Sequence, residues 1–110
     1  MGSEYKVQCE NELEKIIRQI AKRYQPKSMI LFGSLARGVI HENSDIDLCI
    51  VIDTENKRKL AADMYLQVES EVPFDLIIYT PEEWKKHISN TSSFAYHILK
   101  EGRVLNGRLH

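Results

Sequence analysis

Asp45 and Asp47 flank a single isoleucine, and the pair Gly33-Ser34 stands ten residues ahead of them. These are residue types that phosphate and metal chemistry uses. Met29-Ile30-Leu31-Phe32, before the glycine, is a short apolar run that reads as a buried strand, and Leu48-Cys49-Ile50-Val51-Ile52, after the acids, reads as another. The Gly-Ser pair therefore leaves one strand while the acids enter the next. Successive side chains on a strand point to opposite faces, so Asp45 and Asp47 project together, with Ile46 turned into the core. Two such carboxylates repel by about 4 kcal/mol at roughly 4 Å and an effective dielectric of about 20, unless a cation sits between them. A divalent metal is the expected resident.

A third acid belongs with the first two. In Val72-Pro73-Phe74-Asp75-Leu76-Ile77-Ile78-Tyr79, Asp75 is the lone charge in an apolar run, where an unpaired buried charge is costly. Taken alone it reads as a turn acid exposed at the start of a strand. Beside Asp45 and Asp47 it reads as a third metal ligand.

The elements that must carry these residues alternate along the chain. Leu13, Ile16, Ile17, Ile20, Ala21 and Tyr24 recur at helical spacing and predict an amphipathic helix from Glu10 to Tyr24, with Pro26 beyond its end. The first strand follows, then a loop from Leu35 to Ser44, then the second strand to about Ile52. Asp53 or Thr54 is placed to cap a helix running to Val72, with Leu60, Ala61, Met64, Tyr65 and Val68 on its inner side. Pro73 stops it, and Phe74 to Tyr79 is a third strand. Thr80-Pro81-Glu82-Glu83 holds a capping box and a proline at the first helical position, predicting a helix to about Ser89. Another helix is expected from about Ser92 to Glu101, with Gly102 terminating it and Val104-Leu105 as a last edge strand. The result is one α/β or α+β domain over residues 1–110, built on a small sheet.

Composition narrows the partners. The chain has 110 residues, enough for one core but too few for separate modules that grip a template, a primer or a tRNA. Its 15 basic and 16 acidic residues are interleaved and give a net charge of −1, without the basic excess of a protein that tracks a nucleic-acid backbone. Direct binding of a nucleic-acid polymer is not expected. The start is polar and no apolar run is long enough to span a bilayer, so neither a signal peptide nor a membrane partner is expected. Cys9 and Cys49 read as reduced thiols rather than a disulfide framework. The expected location is the cytoplasm.

Gly-Ser, a spacer of ten, Asp-x-Asp, and a lone Asp on the next strand resemble the nucleotidyltransferase superfamily related to DNA polymerase beta, in particular the minimal nucleotidyltransferase (MNT) domains of prokaryotes. The resemblance covers nearly the whole chain. It takes in the leading helix, Gly33-Ser34-Leu35-Ala36-Arg37-Gly38, Ser44-Asp45-Ile46-Asp47-Leu48, the Asp75 strand, and Leu99-Lys100-Glu101-Gly102-Arg103-Val104-Leu105. Either short motif alone is worthless as a signal; their order on successive strands is what makes them specific. Many members have Arg or Tyr where this chain has Leu35, which removes one side-chain contact but leaves the acids intact.

The resemblance implies a polymerase beta-like fold, a small mixed sheet flanked by helices, and two Mg²⁺ ions at Asp45, Asp47 and Asp75, with ATP as substrate. Two such ions clamp the attacking and leaving oxygens of an in-line displacement. Asp45 and Asp47 would hold them with the triphosphate, while Asp75 would orient or deprotonate the attacking hydroxyl. Gly33 would let the backbone approach phosphate and Ser34 would offer a hydroxyl and an amide, although an ordinary strand-ending turn explains the same pair. Arg37, three residues past Ser34, shares its face on a helical turn and could reach phosphate; a solvated surface arginine is the competing reading. Ser44 reads as a turn cap and His41 as an exposed loop residue. His87 and His97 lack partners at zinc spacing and read as structural, and Trp84 and Tyr96 as core.

MNT domains are often paired with a HEPN-domain RNase toxin, which they neutralise as antitoxins by transferring AMP to a tyrosine. The resemblance thus implies a protein adenylyltransferase acting on a HEPN partner, in a homo- or hetero-oligomer. The alternatives are a nucleotidyltransferase for a small hydroxyl substrate such as an antibiotic, and a nucleotide-binding antitoxin that neutralises its partner by complex formation only.

Overall fold

In a computed structural model, which describes residues 2–107, a four-stranded sheet carries helices on both faces. The elements run α1 (Gly2–Tyr24), β1 (Ser28–Phe32), α2 (Gly33–Arg37), β2 (Ile46–Val51), α3 (Lys57–Gln67), β3 (Phe74–Tyr79), α4 (Pro81–Ile88), α5 (Phe94–Glu101) and β4 (Arg103–Gly107). Strand order is β3-β2-β1-β4, with β2 and β3 parallel and both partners of β1 antiparallel to it. The sheet is therefore mixed, with α3 in the crossover between its parallel pair.

Strand alternation divides the core into two layers. Met29 and Leu31 of β1 and Ile46, Leu48 and Ile50 of β2 pack with Cys9, Leu13, Ile16 and Ile20 of α1 and with Met64 of α3. Ile30, Cys49 and Val51, which alternate with them along the strands, pack on Trp84 of α4 and Ala95 and Ile98 of α5. Both strands are buried on both faces, which is why their sequences are continuous apolar runs.

Several boundaries differ from the sequence expectations, each for a local reason. The first helix begins at Gly2 rather than Glu10, because Tyr5 and Cys9 extend its buried stripe by two more turns. The residues after Gly33 form the short helix α2 instead of loop. The third helix is shorter at both ends. Asn56, not Asp53 or Thr54, caps it by accepting a hydrogen bond from the Lys59 amide at 3.0 Å. It stops at Gln67 because α1 captures the chain beyond: Gln19 exchanges two 2.8 Å bonds with the Glu69 backbone, and buried Glu12 accepts from the Glu71 amide at 3.0 Å. Side chains from another helix thus satisfy backbone groups that further helical turns would have used.

The fourth helix has the expected capping box, with Thr80 Oγ1 accepting from the Glu83 amide and Glu83 Oε1 accepting from the Thr80 amide. Gly102 ends α5 as expected, its amide donating to the Ile98 carbonyl at 2.7 Å, and its φ of −83° is ordinary extended backbone. Space explains the glycine. A Cβ there would meet the Ile98 carbonyl, and Ile30 Cγ2 and the Leu31 carbonyl at 2.7 Å. Beyond it, β4 is the edge strand expected around Val104-Leu105.

Candidate active site

Antiparallel pairing of β1 with β2, and parallel pairing of β2 with β3, bring the C-terminal end of β1 to the N-terminal ends of the other two. Phe32 is the register partner of Asp47, and Asp47 is the register partner of Asp75. Neighbouring strands lie about 4.8 Å apart, so the two acids stand side by side. Asp45 is one residue ahead of β2 rather than within it. It remains in phase with Asp47, while Ile46 between them is fully buried in the opposite layer. All three acids point to the face that α4 and α5 cover farther along the sheet. At this end the helices leave Asp75 exposed and Asp45 and Asp47 half-buried.

The segment that delivers Asp45 is tied down at several points. Ser44 closes a turn by donating its amide to the His41 carbonyl and accepting from the His41 amide through Oγ, both at 2.9 Å. Tyr5 of α1 donates its hydroxyl to the Ser44 carbonyl at 2.8 Å, and the Ile46 amide donates to the Pro73 carbonyl at 3.0 Å. Ser44 is thus the turn cap it was expected to be, and His41 is exposed.

Gly33 bridges β1 and α2 with φ +77°, a left-handed conformation that disfavours a side chain. Space excludes one as well, because a Cβ would run into the Asp47 carboxylate, 3.1 Å from its Cγ. The glycine lets the turn close directly over an acid. Ser34 lies half-buried in the first turn of α2, which has no side-chain cap. Leu35 is buried in the α1 layer, so this departure from the family pattern serves packing. Arg37 is exposed, and its positive charge acts on Asp47.

Electrostatics bind the three acids into one unit. Burial raises the Asp47 pKa, the charges of Asp75 and Asp45 raise it further, and only Arg37 works the other way. Burial also raises Asp75, as do a hydrogen bond shared with Asp45 and the charge of that neighbour. Among the described residues, none of the three takes part in an ion pair. A divalent cation seated among them would relieve this repulsion. Hard oxygen donors in this arrangement suit a hard divalent cation, and a glycine turn beside them suits phosphate. Among the described residues, no three His, Cys, Asp or Glu side chains form a ready-made metal cage.

Beside the Gly33 turn lies a cleft of about 240 Å³ between the end of β1 and α5, lined by Phe32, Gly33, Arg37, Phe94, His97 and Glu101. The sequence reading had no role for Phe94 and took His97 as structural. Their signal was present in the spacing, since Phe94, His97, Ile98 and Glu101 fall on one helical face.

An acidic strand end beside a glycine turn on a mixed sheet defines a protein class that handles phosphate esters. The comparisons give the class its family. Residues 13–101 match the model of the nucleotidyltransferase domain, and the chain belongs to that family. It is 34% identical over 98 residues to a Methanocaldococcus jannaschii protein provisionally named a protein adenylyltransferase, covering 87% of this chain and 96% of that one. The fold matches a Sulfolobus solfataricus crystal structure provisionally described as a nucleotidyltransferase, with a TM-score of 0.67, 19% identity, and 96% and 86% of the two chains covered. It also matches a toxin-antitoxin structure solved with AMP-PNP, with a TM-score of 0.52, 23% identity, and 86% and 73% covered. The chain is a nucleotidyltransferase, of a class that uses a nucleoside triphosphate and a divalent metal.

Proposed function

We propose that this nucleotidyltransferase transfers AMP from ATP to a tyrosine hydroxyl of a HEPN-domain toxin, and so acts as the antitoxin of a toxin-antitoxin pair. The observation that carries the reading is the retained triad of Asp45, Asp47 and Asp75, coupled in charge and open at the sheet end. A protein that only bound its partner would have no use for three mutually repelling carboxylates. The adenylyltransferase name of the M. jannaschii relative and the nucleotide analogue in the toxin-antitoxin structure support the same direction.

Asp45 and Asp47 would hold Mg²⁺, in two ions, together with triphosphate oxygens, and Asp75 would contribute to the ion on the nucleophile's side. When bound, the metal neutralises the triphosphate and stabilises the attacking and leaving oxygens. Mg²⁺ is commonly held by one or two carboxylates plus phosphate and water, so a full protein cage is not required. Gly33 keeps the turn free of a side chain where phosphate would approach, Ser34 offers its hydroxyl there, and Arg37 supplies positive charge. Asp75 would orient the acceptor hydroxyl and accept its proton. The acceptor oxygen forms a bond to the α-phosphorus, the bond from that phosphorus to the bridging oxygen breaks, and pyrophosphate leaves. The acceptor protein would close a site that this small domain leaves open.

The test is to incubate the chain with ATP, Mg²⁺ and the protein encoded by the neighbouring gene. Intact-mass measurement should show one or more AMP units on a tyrosine of that protein, with none when Asp47→Asn replaces the wild type. An unmodified but still inhibited partner would instead identify an antitoxin that works by complex formation only.

A further inference from the structure

The carboxylate end accounts for phosphate and metal but leaves the rest of a nucleotide without a place. The cleft between β1 and α5 lies against it and shares two of its residues. Gly33, at the cleft wall, is also the residue whose Cβ would strike the Asp47 carboxylate, and Arg37, at the same wall, acts on Asp47 by charge. A molecule seated in the cleft is therefore one residue's width from the acids. We infer that the cleft receives the nucleobase of the triphosphate, with Phe94 as its stacking platform. This rests on the nucleotide site proposed above and assigns its base-binding half.

Three observations support the assignment. Phe94 is 53% exposed at the first position of α5, although the domain has apolar layers on both faces of the sheet that could have taken it. Its ring is held edge-to-face against Phe32 with centroids 5.7 Å apart, so an open aromatic surface is fixed in place rather than left to swing. Bases stack on such surfaces with little regard to sequence, because every base has a π-face. The volume, about 240 Å³, falls below the roughly 300–1,000 Å³ of sites that enclose a whole small molecule. It suits one ring system, with sugar and phosphates lying outside toward Gly33. His97 and Glu101, one helical turn apart on the same face, place a donor-acceptor ring and a carboxylate at the rim, where the polar edge of a base would need partners.

Calorimetric titration of the full chain with ATP and with inorganic tripolyphosphate, both with Mg²⁺, tests this. Tripolyphosphate carries the charge without a base. Phe94→Ala should weaken ATP binding by about 5- to 100-fold, the loss of one base-aromatic stack, and leave tripolyphosphate binding unchanged. Phe94→Trp should keep ATP affinity near the wild-type value, which controls for damage to α5. Equal ATP affinity in wild type and Phe94→Ala overturns the inference, as does a parallel loss of ATP and tripolyphosphate. If the wild type binds ATP and loses it in Asp47→Asn but ignores Phe94→Ala, the nucleotide site stands and the base lies elsewhere. If the wild type binds neither probe, both readings fall.

Discussion

The three aspartates are individually unfavourable and jointly useful. Asp47 is held half-buried between two other acids, with only the exposed Arg37 to offset them. A carboxyl whose folded pKa lies above its unfolded value binds more protons when folded, so it detracts from stability once the pH exceeds that value. At neutral pH and without metal, Asp47→Asn should therefore raise the melting temperature while abolishing transfer. About 1 kcal/mol moves the midpoint of a domain this size by about 4–8 °C, within easy reach of calorimetry. A fall in melting temperature would mean that Asp47 is held by structural hydrogen bonds rather than poised for a cation.

At the scale of elements, the helix α1 does more than cover a face of the sheet. Tyr5 anchors the segment leading to Asp45, and Glu12 and Gln19 receive the chain on its way to the Asp75 strand. Glu12 is buried, and the Glu71 amide, followed by Lys15, pulls its pKa below the usual 4.5. Such a group contributes stability in full above the unfolded value, and the contribution is lost as pH falls through the folded one. Glu12→Ala should cost about 2 kcal/mol at pH 7, the scale of a hydrogen bond to a charged group, and progressively less in acid below the ordinary glutamate value. Urea unfolding of wild type and variant at pH 7 and in acid checks this, and a difference independent of pH would refute it. These tertiary bonds also explain what the sequence did not disclose. Strand cores, the Thr80 capping box and the order of the acids follow from local patterns and were legible. The early stop of α3 was not, because residues some fifty positions away capture the backbone of Glu69 and Glu71. Gly102 was legible as the end of α5 but not for its reason, because sequence reports the residue type and not the strand packed against it. The acids were readable because alternation and strand order suffice to juxtapose them, whereas the Phe94 cleft needed α5 placed against the end of β1.

For the whole molecule, the sheet end is where the fold accepts cost in exchange for chemistry. Both faces of β1 and β2 are covered along most of their length, and both cysteines are free and buried, Cys9 in the α1 layer and Cys49, its thiol pushed up to about 12 by burial, in the other. No helix among the described residues is long and apolar enough to cross a membrane. Against that closed body, the acids and the half-exposed Phe94 are groups that a bound metal-nucleotide would neutralise and cover together. Anything that binds the folded chain and not the unfolded one stabilises it, by about 2.7 kcal/mol at a hundredfold excess over the dissociation constant. ATP with Mg²⁺ at that excess should thus raise the melting temperature by about 10–20 °C. Mg²⁺ alone should raise it less, because the cation relieves the repulsion but covers no aromatic surface. Asp47→Asn should begin from the higher baseline argued above and gain little from either. A wild-type melting curve unmoved by saturating ATP and Mg²⁺ would show that the acids are crowded for some reason other than nucleotide transfer.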